Sequence, residues 1–263
     1  VAPPSPAPRA FPTLTLEATT RGRAEFKAAM TLARAGLPND AAWYLRRLLE
    51  GTRDRALALL ATRASAEGQA WEAVPRLLVT HFAGYLQRGA DGLPADFYEL
   101  VYPRPYDNAV TPAASGRDID PGFMFSLMRQ ESRFDADARS FVGALGLFQI
   151  MPYTATELGP RSGLDQLSST DLEDEATLLR PEVNAAIAAT LAGDLLEMVG
   201  GQLAPVIASY NAGEDRVAIW WASARELSED IFVDTIPYSE TRRFVREVLA
   251  NVAGYRRVYG ASQ

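Results

Sequence analysis

Glu131 is the residue of this sequence whose placement most needs a reason. It follows Met124, Leu127 and Met128 at offsets of 7, 4 and 3, so a carboxyl group stands on the apolar stripe of a helix. Charge is costly there, and burial raises a carboxyl pKa by disfavouring the ionised form. A carboxylic acid kept protonated near neutral pH is a general acid, able to hand its proton to a leaving oxygen. The bland alternative is a buried glutamate paired with Arg129 or Arg133.

Other candidates follow downstream. Ser140 opens a run of small residues, Phe141-Val142-Gly143-Ala144-Leu145-Gly146, in which a serine readily serves as a turn former. Gln149 sits in the apolar run from Leu147 to Met151, where its amide needs a partner. Met151 suits either a core or a cleft wall. Tyr210 and Asn211 close a helix ahead of Gly213, and Asn211 has a plain alternative role as an end cap. Glu240 falls in the first turn of the last helix, where the helix dipole favours an acid. Trp220 and Trp221 could stack on sugar rings, but their helical setting favours core packing for at least one of them.

These groups need elements to hold them. Asp120 is a good N-cap and Pro121 suits a first helical position, so the helix through Glu131 is expected to start there. Thr154 is a candidate cap for a short helix after Pro152, and a helical turn is expected near Asp171 to Leu179. Pro181 to Met198 reads as a helix closed by Gly200-Gly201, and Pro205 to Tyr210 as another. Asp215 reads as the cap of a third. The last helix begins near Ser239 and carries Phe244, Val245, Val248, Leu249 and Val252. No segment sustains a period of two, so the fold is read as all-α.

Upstream, Thr20 to about Leu100 is helical in pattern, broken at Gly36, Gly51 and Gly68, with Asn39 or Asp40 as a cap. Short helices joined by tight turns suggest a helix-hairpin stack without a strict repeat. The expected organisation is a Pro/Ala-rich linker over 1–18, a helix-hairpin region over 19–100, an ordered connector over 101–119 and a second domain over 120–263. The connector is inferred from Pro103, Pro105 and Pro112. The opening Val1 to Pro8 reads as extended polyproline, and a processed or truncated N-terminus is the expectation.

Composition excludes several classes of function. Of 263 residues, 33 are acidic and 26 basic, a formal net charge of −7. Proteins that bind nucleic acid or dock on anionic lipid carry basic patches, so neither partner is expected. The absence of cysteine excludes disulfides, thiolate nucleophiles and cysteine-rich zinc sites. The single histidine, His81, lies in an apolar helical stretch and reads as structural. No metal or cofactor is expected. No apolar run approaches the roughly 20 residues of a membrane-spanning helix.

Three ordered motifs then agree. Arg129-Gln130-Glu131-Ser132-Arg133-Phe134, with Ser140 and Val142-Gly143-Ala144-Leu145-Gly146-Leu147-Phe148-Gln149-Ile150-Met151-Pro152 behind it, resembles the catalytic region of the Slt-type soluble lytic transglycosylases. Ala208-Ser209-Tyr210-Asn211-Ala212-Gly213 is similar to the second motif of that family, and Ile236-Pro237-Tyr238-Ser239-Glu240-Thr241-Arg242 to its third. Phe148 departs from it, standing where methionine is frequent. The resemblance covers residues 120–260 and is fainter at Phe97 to Pro103. The helices before that are similar in character to the family's α-superhelix, but too short for a full ring.

The resemblance implies a lysozyme-like helical fold. It also implies cleavage of peptidoglycan between N-acetylmuramic acid and N-acetylglucosamine, leaving 1,6-anhydro ends. Glu131 would be the catalytic acid and then base, with Ser140, Gln149, Met151, Tyr210, Asn211 and Glu240 binding substrate. It implies peptidoglycan glycan strands as partner and a periplasmic location, and the helices over 19–100 are read as a candidate surface for protein partners. A goose-type lysozyme-like hydrolase and an inactive peptidoglycan-binding scaffold stand as alternatives.

Overall fold

The computed structural model describes residues 11, 13–86, 94–226 and 228–260. The chain divides into two units, Val1–Pro105 and Tyr106–Gln263. Most of the expected linker, residues 1–10 and 12, lies outside the described residues.

The first unit is a run of helices: α1 (Ala18–Gly22), α2 (Ala24–Arg34), α3 (Pro38–Leu49), α4 (Arg55–Glu67), α5 (Ala73–Leu86) and α6 (Ala95–Val101). From α2 to α5 each packs on the next, as in a stack of hairpins. Leu45, Leu48, Leu57, Ala61, Val74, Leu78, Phe82 and Phe97 form its buried core. Gly36 turns the chain with φ +75° and Gly51 with φ +80°, angles that favour glycine. Asp54 caps α4 by accepting the backbone N–H of Ala56 (2.9 Å) and Leu57 (3.1 Å). Neither Asn39 nor Asp40 caps α3, because that helix already starts at Pro38, whose fixed φ suits a first position. Asn39 instead abuts Gly68, where a Cβ would lie 2.5 Å from its Oδ1. Gly68 is therefore a close approach as well as a helix end.

The second unit begins with α7 (Asp107–Ser115) and α8 (Pro121–Glu131), then α9 (Pro152–Leu158), α10 (Ser169–Glu173) and α11 (Glu175–Leu178). It continues with α12 (Pro181–Met198), α13 (Leu203–Ala212), α14 (Glu214–Ala224), α15 (Glu229–Thr235) and α16 (Ser239–Tyr259). Residues 107–115, expected within a connector, form α7 and pack on α12 and α8. The prolines hide this helix: Pro112 lies inside α7, but Val110 and Ala114 are wholly buried, and packing outweighs the lost backbone bond. Asp120 and Pro121 start α8 as expected, the Asp120 carboxylate accepting the Gly122 N–H at 2.8 Å. The same carboxylate takes Arg256 Nε at 2.7 Å, tying the start of α8 to α16, and Phe125 stacks on Tyr255 at 5.6 Å. Helix α12 buries most of its length, with Val183, Ala185, Ile187, Ala188, Ala189 and Ala192 at the centre of the unit. Thr154 and Asp215 do not cap, since α9 starts at Pro152 and α14 directly after Gly213. Among the described residues no strand forms; Arg139–Leu145 and Leu145–Ile150 make isolated bridges. The fold is all-α.

Candidate active site

Helix α8 ends on Glu131. Phe123, Met124, Phe125, Leu127 and Met128 bury the rest of the helix, so the carboxyl arrives at the surface of the core rather than in open water. Burial pushes its pKa from an ordinary 4.5 up to about 8. Its place at a helix C-terminus, where the dipole is negative, disfavours charge in the same direction. Among the described residues no hydrogen bond or ion pair reaches the carboxyl, and neither Arg129 nor Arg133 acts on it. The ion-pair alternative therefore has no counterpart here.

Beyond Ser132 the chain turns sharply. Arg133 and Phe134 both take left-handed φ, 55° and 71°, and Phe134 is buried, anchoring the turn. The loop from 138 to 150 folds back in front of Glu131 and bonds to itself. Ser140 Oγ accepts the Ala144 N–H at 2.8 Å, Leu145 and Ile150 exchange backbone bonds at 3.0 Å, and Gly146 N–H reaches the Ala138 carbonyl at 2.8 Å. Gln149 stands at φ +50°, and its side-chain amide donates to the Gly146 carbonyl at 2.9 Å. The partner its amide needed is thus supplied within the loop.

Tyr210 and Asn211 come from the end of α13. The Tyr210 hydroxyl donates to the Phe148 carbonyl at 3.0 Å, and its pKa is pushed up by burial and by the Glu131 charge beside it. Asn211 Oδ1 accepts Thr241 Oγ1 at 2.7 Å, which leaves the amide hydrogens of Asn211 as its outward donors. Glu240 is exposed in the first turn of α16.

A groove of about 780 Å³ collects Glu131, Ser140, Gln149, Met151, Tyr210, Asn211 and Glu240. All the residues singled out for the site thus line one cavity. Trp220 and Trp221 do not line it: they meet Tyr238 and Phe232 edge-on at 5.3 and 5.1 Å. The groove also holds groups the sequence did not single out, including Tyr153, Met198 and the ion pair of Arg161 with Asp194 at 2.7 Å. Asn184, behind the loop, was likewise missed. Its signal was that of Glu131: a polar side chain set among Val183, Ala185 and Ile187.

Volume alone does not choose the site. The first unit has a cavity of about 880 Å³ lined by Arg53, Asp54, Arg55, His81 and several threonines. There Asp54 caps a helix, Arg55 lies 5.6 Å from the ring centre of Tyr85, and the pKa of His81 is lowered by burial and by Arg55.

The chain resembles known proteins. Residues 108–233 match the Transglycosylase SLT domain family. The chain is 36% identical over 169 residues to the soluble lytic murein transglycosylase of Salmonella typhimurium, covering 64% of this chain and 25% of that protein. The Escherichia coli protein of the same description is 36% identical over 166 residues, covering 63% of this chain and 25% of its own. The chain thus spans about a quarter of the length of these relatives.

Among solved structures, an inactive mutant of lytic transglycosylase Slt from Pseudomonas aeruginosa matches with TM-score 0.67 and 26% identity. That match covers 93% of this chain and 37% of that one. The 70-kDa soluble lytic transglycosylase in complex with bulgecin A matches with TM-score 0.70 and 28% identity, covering 96% and 38%. The chain therefore shares the all-α, lysozyme-like fold of these structures.

Proposed function

We propose that the chain is a peptidoglycan lytic transglycosylase that cuts the bond between N-acetylmuramic acid and N-acetylglucosamine and leaves 1,6-anhydro ends. The observation that carries this reading is Glu131: a carboxyl in the groove, unpaired and lifted by burial to about 8. It holds its proton at neutral pH and can give it to the glycosidic oxygen. The bond from C1 to that oxygen breaks, its electron pair stays on the leaving oxygen, and the substrate's N-acetyl carbonyl stabilises the cation at C1. The Glu131 carboxylate then takes the proton of the muramoyl C6 hydroxyl, whose oxygen closes on C1. The acid is restored and no water is consumed.

Ordinary glycosidases place two carboxyl groups at the bond. Burial is the only cause acting on Glu131, and no neighbouring carboxylate contributes to its rise. This supports a mechanism with one carboxyl. In this reading Asn211 offers its amide hydrogens to a sugar or N-acetyl oxygen. Ser140, Gln149, Met151, Tyr210 and Glu240 line the bound strand. Peptidoglycan lies outside the cytoplasmic membrane, so the site of action is the periplasm. No helix among the described residues is long and apolar enough to cross a membrane.

The test is mass spectrometry of muropeptides released from purified sacculi. Ends lighter by one water than the hydrolytic ones are expected. Ordinary reducing ends would make the protein a hydrolase, and bound sacculi with nothing released would make it a scaffold.

A further inference from the structure

Asn184 lies in the first turn of α12 with 0% exposure. A buried amide is costly unless its groups are paired, and this one is paired at each end. Its Oδ1 accepts the Phe148 N–H at 2.8 Å, and its Nδ2 donates to the carbonyls of Leu145 and Leu178, each at 2.9 Å. The loop backbone is pressed against it. A Cβ on Gly146, which has φ +74°, would lie 2.7 Å from Asn184 Nδ2. On the far side of Phe148, the carbonyl accepts the Tyr210 hydroxyl. Tyr210 is close enough to Glu131 to feel its charge. A continuous chain of bonds thus runs from α12 through the groove loop to the residue beside the acid. The bonds of the 138–150 stretch run mostly within the loop itself, and this amide ties it to α12.

We propose that Asn184 is a positioning residue for the reaction at Glu131. It clamps the 145–148 backbone so that Phe148 seats Tyr210 and the loop keeps water from the acid. The proposal rests on the functional reading above, and it also makes a claim about Glu131 that can be read without activity. If the clamp opens, water reaches the carboxyl, the cost of charging it falls, and its titration moves down.

The experiment uses the full chain with Asn184→Ser and Asn184→Asp, folding being checked by circular dichroism. Glu131 titration is followed by ¹³C NMR, and turnover on sacculi is measured against pH. In Asn184→Ser the Glu131 midpoint should fall by about one unit or more. Turnover should fall about 10- to 100-fold with KM little changed, the usual result of a displaced catalytic group. Asn184→Asp keeps the acceptor for Phe148 but sets a carboxylate against two carbonyls. Protonation returns one donor, so this variant should regain turnover as pH is lowered while Asn184→Ser does not.

Folded variants that keep both the wild-type Glu131 midpoint and the wild-type turnover overturn the proposal. A lowered midpoint in a chain whose wild type releases no anhydro products would support the clamp and sink the functional reading. An unchanged midpoint with anhydro products intact would do the reverse.

Discussion

The two units handle their buried polar groups differently. In the first, the bonds are mostly local: Thr62 and Ser65 each bond the carbonyl four residues back and Asp54 caps its own helix, although Ser65 also accepts Arg46 and Asp54 accepts Thr20 from other helices. In the second, Asn184 reaches Leu145 across 39 residues, Tyr210 reaches Phe148 across 62, and Thr241 reaches Asn211 across 30. A local bond stabilises one element, whereas a distant bond fixes how two elements sit together. The first pattern stiffens helices that packing already holds. The second aligns a loop and two helix ends around one acid, which is what a reactive groove requires.

Glu131→Gln should break the comparison hardest. Removal of the proton donor should lower turnover about 10³-fold while leaving the fold intact, as read by muropeptide release and circular dichroism. The same variant should be more stable than the wild type above acid pH. Glu131 has its folded-state pKa raised to about 8 from 4.5, so between those values the unfolded chain loses this proton and the folded chain keeps it. Stability of the wild type therefore declines from about pH 4.5 to about pH 8, and an amide, which does not titrate, cannot share that decline. The gain at the upper end should be about 2–4 kcal/mol in denaturant unfolding. Wild-type turnover, which needs the protonated acid, should fall as pH rises through about 8.

Gly146→Ala should be next. It places a Cβ against Asn184 at a left-handed φ, and should cost about 2–3 kcal/mol in thermal or denaturant unfolding. Tyr210→Phe removes one neutral hydrogen bond at the groove and should lower kcat about tenfold without unfolding the chain. In the first unit, Asp54→Ala loses a helix cap and should cost about 1 kcal/mol of stability with no loss of turnover. A drop in turnover from Asp54→Ala at a temperature where the chain stays folded would erase the distinction between the units.

The legible part of the site was the part written as a conflict between residue and pattern. Glu131 on an apolar stripe is such a conflict, and the groove holds it without a partner. Asn184 carries a similar conflict, but α12 is apolar on nearly every face, so its sequence shows no side on which an amide stands out. The positive φ of Gln149 is invisible because it is imposed by the loop closing on itself. The helix at 107–115 was hidden by Pro112, whose local cost is outweighed by burial of Val110 and Ala114 that only tertiary packing reveals. Helices of the second unit were readable where a cap and an apolar face agreed, as at Asp120 and Pro121. Convergence on one groove of side chains from α8, the loop, α13 and α16 was not, since spacing along a chain carries no distance across it.

The most direct measurement is the titration of the Glu131 carboxyl carbon in the wild-type protein by ¹³C NMR, assigned by its loss in Glu131→Gln. A midpoint near 8 is expected from an unpaired, buried acid that serves as both proton donor and acceptor. A midpoint at the ordinary 4.5 would mean that the carboxyl is solvated or paired at neutral pH, and would contradict its role as the proton donor of the reaction.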